Sequence, residues 1–299
     1  MSSVGVLVNS GHLRVIDNDF KQLFLNNAVK GSKSVISSVD IIIVDTMDSS
    51  EELDEALGQL YSDSRDFLLN QSEFDVPINV YFNRDISFIR SFVWDSLFLP
   101  KECDELYSIH CSSDTPINLY STAKTTPPLS TNKQRTSDEN LYQVSALGGT
   151  FDHLHDGHKI LLSIAAFITS ERLIVGVADQ ELLENKKYKE QLQSFKVRCE
   201  CARNFLNSIK PNLKVEFSAI RDVCGPTGTV PEIECLVVSR ETVSGAGIVN
   251  KARKEKGLRE LAVHAVNILG GTKEDNWKEK LSSTELRRRS AERQMICRH

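Results

Sequence analysis

The sequence predicts an α/β protein whose C-terminal half is a Rossmann-like parallel sheet, and two observations support this fold class. Short apolar runs rich in β-branched residues alternate with segments whose apolar residues recur at helical spacing. The first of these runs in the C-terminal half ends in a double glycine, Gly148-Gly149, directly before a helical segment. Strands that alternate with helices form parallel sheets, because each crossover helix returns the chain to the same end of the sheet.

The elements of the C-terminal half follow one another closely. A strand is predicted at Tyr142–Leu147, and apolar residues between Ile160 and Ile168 recur at helical spacing after it. The same criteria predict four more strands and three more helices. These strands are 172–177, 213–217, 233–238 and 261–266, and these helices are 194–208, 246–255 and 283–296.

The N-terminal half reads as a smaller α/β domain. Strands are predicted at 4–8, 39–44 and 78–82, and helices at 51–60 and 86–97. This half contains no phosphate loop of the GxxxxGK[ST] type. Asp45 and Asp48, which follow a strand, suit a solvated loop as well as a ligand site. We therefore expect a structural or partner-binding role for this half.

The two halves are separated by a segment rich in Ser, Thr, Pro and Asn, SSDTPINLYSTAKTTPPLSTNKQRTSDEN. It has little apolar periodicity, which is typical of a linker or a long surface loop. We therefore predict an N-terminal domain over 1–111, a linker over 112–140 and a C-terminal domain over 141–299.

Composition excludes several classes of function. The chain has 299 residues, and 36 basic against 41 acidic side chains give a formal charge of −5, so nothing favours nucleic acid as a partner. Its seven cysteines include no CxxC pair, which suits reduced thiols in the cytoplasm. No apolar run is long enough for a membrane span, and no secretion signal is expected.

The most informative stretch is 148–158, with the sequence GGTFDHLHDGH. It joins a glycine turn to a helix start, where unpaired backbone N–H groups and the helix dipole favour an anion. Gly148 and Gly149 let the backbone come close to a ligand. His155 and His158 are three residues apart, so both imidazoles project on one side and can donate to phosphate oxygens. The stretch therefore predicts a phosphate-binding site.

The three histidines of this stretch allow two other interpretations. His153, His155 and His158 form an HxHxxH pattern that a zinc site could use. No cysteine or carboxylate motif with zinc spacing accompanies them, so we expect no metal site and set His153 aside as a ligand. The structural alternative is that the three histidines serve only in capping the helix or in packing.

Five segments in order carry a family resemblance: GGTFDHLHDGHKILLS, LIVGVAD, ENKKYKE, VVSRET and SSTELR. They resemble the nucleotidyltransferase superfamily with HxGH and ISSTxxR signatures, and within it the eukaryotic phosphopantetheine adenylyltransferases of coenzyme A synthesis. Leu281 replaces the Ile of the second signature and keeps an apolar anchor. The resemblance covers about Tyr142 to Arg289 and leaves the N-terminal half outside it.

The resemblance implies a reaction that joins ATP and 4′-phosphopantetheine into dephospho-coenzyme A and pyrophosphate, with magnesium accompanying ATP. It implies catalytic roles for His158, Lys187 and Arg240, which would stabilise charge at the reacting phosphorus. Lys186 and Lys187 are neighbours, and the sequence offers little basis for preferring one of them. Without the resemblance, a solvated surface pair would be the interpretation for both.

The resemblance also implies two sets of binding residues. The contacts to ATP or its phosphates are Gly149, Thr150, Phe151, His155, His158, Arg240, Asn250, Ser282, Ser283, Thr284 and Arg287. The contacts to the acceptor substrate are Thr150, Asp152, Asp179 and Lys187.

Four of these residues have structural alternatives. Asp152 could fix its turn, or position Lys187 or magnesium. Arg240 could pair with Glu241 or Asp222, and Ser282 has capping-box spacing to Glu285. Asn250 follows Gly245-Ala246-Gly247, and a glycine turn without a ligand explains this segment equally well.

Two other functions stay open at this point. A cytidylyltransferase shares the HxGH signature but carries a different C-terminal signature. A scaffold is a function of another class, in which the N-terminal region recruits other coenzyme A enzymes. Scaffolding and catalysis are compatible in one chain.

Overall fold

The computed structural model describes residues 2–9, 36–70, 73–101, 115–120, 137–267 and 282–296. The chain divides into two compact units, Met1–Thr136 and Ser137–His299. Among the described residues, no helix has both the length and the apolar character needed to cross a membrane.

The first unit contains a five-stranded sheet in the order β3-β2-β1-β4-β5. Every neighbouring pair of strands is parallel. Its elements in chain order are β1 (Ser2–Val8), β2 (Ile36–Ile43), α1 (Ser50–Asn70), β3 (Ile78–Tyr81), α2 (Ile86–Arg90), β4 (Ser96–Pro100) and β5 (Ile117–Tyr120). The predicted α/β character of this half is confirmed.

Two details of the first unit differ from the prediction. The helix predicted over 86–97 ends at Arg90, and the apolar run at Ser96–Pro100 forms β4 instead. Three residues of that run are almost fully buried, and the strand pairs with β1 and β5, so sheet burial decides its conformation. The strand β5 lies inside the segment predicted as a linker, and its short, mostly exposed sequence gave no signal.

The second unit contains the predicted parallel sheet, with the order β10-β9-β6-β7-β8. All four strand pairings are parallel, which confirms the Rossmann-like α/β prediction. Its strands are β6 (Tyr142–Gly149), β7 (Thr169–Ala178), β8 (Lys214–Ile220), β9 (Cys235–Ser239) and β10 (Ala262–Val266). Its helices are α3 (Asp156–Ile168), α4 (Phe195–Ile209), α5 (Val243–Glu255) and α6 (Ser283–Ile296).

The central strand β6 lies between β7 and β9, where the direction of strand succession reverses. Crossover helices leave from opposite sides of such a point, so a crevice forms beyond the carboxyl ends of the strands. The helix α3 is apolar on almost every side, since all its residues from Lys159 to Ile168 are buried. The burial of α3 fixes its N-terminus, and with it the first motif, at the end of β6.

Candidate active site

The loop between β6 and α3 takes its shape from Phe151. This residue has a left-handed backbone, with φ of 50°, and its side chain is completely buried. A Cβ atom at Gly149 would lie 3.0 Å from Cζ of Phe151, so any larger residue would require the ring to shift by a few tenths of an ångström. The side chain of Phe151 is buried in the protein, so a ligand at this loop meets its backbone. Gly149 leaves room for the Phe151 ring, in addition to the predicted close approach to phosphate.

The imidazoles of His155 and His158 are stacked at the start of α3, with ring centroids 3.8 Å apart. The backbone N–H of His155 donates to Nδ1 of His158 at 3.5 Å. This bond favours the neutral tautomer with its proton on Nε2. Burial, and then the neighbouring charges of His155 and Lys186, lower the pKa of His158 well below its ordinary value. His158 is therefore a neutral N–H donor at neutral pH.

The pKa of His158 also distinguishes the two adjacent lysines. The charge of Lys186 contributes to the lowered pKa of His158, after burial and the charge of His155. Lys187 is exposed, and its backbone carbonyl accepts a hydrogen bond from Nε of Arg287 at 2.9 Å. The preference for Lys187 stays a prediction, and the electrostatic influence of Lys186 on His158 makes Lys186 the alternative.

A buried ion pair joins the first motif to the C-terminal motif. Nη1 of Arg287 donates to Oδ2 of Asp152 at 2.7 Å, and the two side chains are 1% and 0% exposed. The hydroxyl of Ser283 donates to the backbone carbonyl of Asp152 at 3.0 Å. The second carboxylate oxygen of Asp152 accepts the backbone N–H of Gln193 at 2.9 Å. Asp152 therefore connects three separate segments.

Each of the three guanidinium nitrogens of Arg287 has a protein partner. Besides Asp152 and the carbonyl of Lys187, its Nη2 donates to the hydroxyl of Thr284 at 3.2 Å. A phosphate contact was predicted for Arg287, but its guanidinium is buried and directed at the protein. The geometry therefore favours a positioning role, in which Arg287 holds Asp152 and the lysine-bearing loop against α6.

The start of α6 is capped as the spacing predicted. The hydroxyl of Ser282 accepts the backbone N–H of Glu285 at 3.3 Å. The carboxylate of Glu285 pairs with Arg288 and Arg289 instead of completing a capping box. The first-turn N–H groups at Ser283 and Thr284 lie at the positive end of the helix dipole, where an anion is favoured.

His153 and Arg198 hold the same loops from the other side. Nε2 of His153 lies 3.0 Å from the carbonyl oxygen of Gln191, and its backbone N–H donates to the Gln193 side chain. The guanidinium of Arg198 is buried and donates to the carbonyls of Thr150 at 2.7 Å and Ala178 at 2.9 Å. Arg198 was not predicted, because in sequence it is one arginine on a helix with no motif.

Three predicted residues lie beyond the ends of other elements. Arg240 is exposed directly after β9 and makes no ion pair with the described residues. Asp179 follows β7, caps the turn at Gln180–Leu182 and pairs with Arg221 at 3.3 Å. The amide of Asn250 is used in two bonds to the backbone of Leu261, so the structure gives it a role in attaching α5 to the chain before β10.

Comparison with known proteins identifies relatives. A family model described as cytidylyltransferase-like matches residues 146–289. The chain is similar to a phosphopantetheine adenylyltransferase of Saccharomyces cerevisiae, with 50% identity over 84% of this chain and 83% of that protein. A phosphopantetheine adenylyltransferase of Pyrococcus furiosus is 36% identical over 43% of this chain and 79% of its own length. A third, from Pyrobaculum aerophilum, is 36% identical over 48% of this chain and 88% of its own.

We predict that Arg287→Ala destabilises the ligand-free protein by about 3–5 kcal/mol, because it leaves the carboxylate of Asp152 buried without its partner. Arg288→Ala is the matched control in the same helix, and loss of its surface pairs costs about 1 kcal/mol or less. Urea unfolding of both variants measures the difference. If Arg287 instead acted as a phosphate ligand, the ligand-free stability would stay unchanged and only the KM for ATP would rise.

We also predict that Lys186→Met lowers kcat more than Lys187→Met, since the charge of Lys186 acts on the pKa of His158. The two variants remove the same charge from adjacent exposed positions, so each serves as the control for the other. The measurement is steady-state turnover at saturating substrates. An equal loss in both variants, or a larger loss for Lys187→Met, would contradict the assignment.

Proposed function

The chain belongs to the phosphopantetheine adenylyltransferase family, and from this premise we propose that it transfers the adenylyl group of ATP to 4′-phosphopantetheine. The products are dephospho-coenzyme A and pyrophosphate. The observation that carries the proposal is the contact between the two motifs, in which Ser283 and Arg287 both bind Asp152. This contact brings the N-terminal end of α6 against the loop that leads into α3.

In the proposed reaction, a phosphate oxygen of 4′-phosphopantetheine attacks the α-phosphorus of ATP. The bond between that phosphorus and the oxygen bridging to the β-phosphorus breaks, and the electron pair leaves with pyrophosphate. Neither step needs a covalent bond to the protein. Catalysis then comes from positioning the two phosphates and from stabilising the negative charge that they share in the transition state.

The candidate site residues contact different phosphates of this reaction according to their positions. His158 donates its Nε2–H to a phosphate oxygen at the reacting centre, and the ammonium of Lys186 adds positive charge beside it. Arg240 approaches from the end of β9 and is long enough to hold a phosphate with two parallel hydrogen bonds. The first turns of α3 and α6 supply backbone N–H groups, with Ser283 and Thr284 on the side of the leaving pyrophosphate.

Magnesium enters this proposal as the companion of ATP, whose phosphate oxygens are its preferred ligands. Asp152 was one candidate for positioning the ion. Both of its carboxylate oxygens are already bonded, to Gln193 and to Arg287, and the side chain is fully buried. We therefore assign Asp152 to the framework of the site, and not to the ion or the acceptor.

A cytoplasmic location fits this role, because both proposed substrates are polar small molecules and the described cysteines are free thiols. The first unit could in addition recruit other enzymes of coenzyme A synthesis. A pull-down that compares the full chain with a chain lacking residues 1–136 tests recruitment separately from catalysis.

We predict that pyrophosphate release requires ATP and 4′-phosphopantetheine together. A panel that crosses ATP and CTP with phosphopantetheine and with phosphorylated alcohols such as phosphocholine measures this directly. CTP belongs in the panel because the matching family model is described as cytidylyltransferase-like. Release that is fastest with CTP and a phosphorylated alcohol would replace the proposal with cytidylyl transfer.

We predict that His158→Ala lowers turnover by about two orders of magnitude or more, the scale of losing one preorganised hydrogen-bond donor. His264→Ala is a matched control, since His264 lies on β10 and is not part of the proposed site. Both variants are compared by kcat and by thermal unfolding. Near wild-type turnover in a folded His158→Ala variant would remove His158 from the catalytic residues.

A further inference from the structure

The two units share one strand order. When strands are numbered within each unit, both sheets run third, second, first, fourth, fifth: β3-β2-β1-β4-β5 in the first unit and β8-β7-β6-β9-β10 in the second. All pairings in both sheets are parallel. This order is common among doubly wound folds, so the topology alone does not indicate a site.

The residues that follow corresponding strands make the likeness specific. An aspartate follows the second strand, an Arg-Asp pair follows the third, and a basic residue then a glutamate follow the fourth. In the first unit these residues are Asp45, the pair Arg84-Asp85, and Lys101 followed by Glu102. In the second unit they are Asp179, the pair Arg221-Asp222, and Arg240 followed by Glu241.

The two aspartates after the third strands also make the same kind of turn. Asp85 accepts hydrogen bonds from the hydroxyl of Ser87 at 2.7 Å and from the backbone N–H of Phe88 at 2.8 Å. Asp222 accepts from the backbone N–H groups of Cys224 at 2.8 Å and Gly225 at 2.7 Å. In each unit, the carboxylate binds groups two and three residues further along the chain.

The first unit lacks the motifs assigned above to ATP. The sequence directly after β1 contains neither a double glycine nor an HxGH signature, and the first unit has no counterpart of SSTELR. The two units correspond in the residues that follow their second, third and fourth strands. In the second unit these positions hold Asp179, which the resemblance places on the side of the phosphorylated acceptor, and Arg240, for which we propose a phosphate contact.

We infer that the first unit is a second copy of the nucleotidyltransferase sheet that binds a phosphorylated acceptor molecule without adenylylating it. The inference rests on the proposed function, which identifies the acceptor. Its ligand is a phosphate monoester with an extended polar tail, the chemical class of 4′-phosphopantetheine.

Lys101 is the phosphate ligand in this site. It stands where Arg240 stands in the second unit, its side chain is exposed, and it makes no ion pair with any residue the structure describes. Arg84 lies at the same edge of the sheet, three strands away, or about 14 Å at the usual strand spacing. The guanidinium carbon of Arg84 lies 3.8 Å from the centroid of the Phe88 ring, so a flat aromatic surface lies beside the charge of Arg84.

The test is the binding stoichiometry of 4′-phosphopantetheine, without ATP, on the full chain by isothermal titration calorimetry. We expect two equivalents for the wild type and one for Lys101→Glu. Arg90→Glu, a charge reversal at another exposed position of the first unit, is the matched control and should bind two.

A wild type that binds one equivalent, or a Lys101→Glu variant that still binds two, would overturn the inference. Thermal unfolding of each variant shows whether the fold is kept. Turnover with ATP is measured separately, so the two conclusions can fail independently. One equivalent bound with normal pyrophosphate release removes only the second site, whereas absence of release removes the proposed function.

Discussion

The ion pair between Asp152 and Arg287 is the contact on which the arrangement of the candidate site depends. Its two residues are 135 positions apart in sequence and belong to the two signature motifs. Removal of either partner leaves an uncompensated charge in a buried place, which is far more costly than loss of a surface pair. The pair therefore requires the first motif, the start of α6 and the lysine-bearing loop to be in place together.

Buried cations repeat this pattern around the second sheet. Arg198 binds the carbonyls of Thr150 and Ala178, at the ends of β6 and β7. Arg253 is fully buried and donates to the carbonyls of Thr227 and Val230. Loop carbonyls have no partner strand, and a buried guanidinium satisfies several of them with a fixed geometry. These bonds hold the backbone at the ends of β6 and β7 in place, which favours the preorganised site that electrostatic catalysis requires.

Local sequence patterns were sufficient for much of the fold and for the location of the site. Alternation of apolar runs and helical periodicity predicted the parallel sheet, and the double glycine before a helix predicted the anion site at the end of β6. The patterns failed where partners are distant. Nothing near Arg287 in sequence shows that it reaches Asp152 and Lys187, so a phosphate was its simplest expected partner. Likewise β4 is a strand because it pairs with β1 and with β5, and β5 is a strand because it pairs with β4.

The common strand order of the two units separates what the sheet requires from what the chemistry requires. Parallel strands depend on apolar side chains that many sequences supply, so a sheet persists after the residues beyond its strands have changed. The glycine turn, the histidine pair and the capped helix serve the nucleotide, and they are present in one unit only. Basic residues beyond the third and fourth strands occur in both. A buried sheet does not need charges at its ends, so these basic residues are free to change with the ligand while the sheet itself persists.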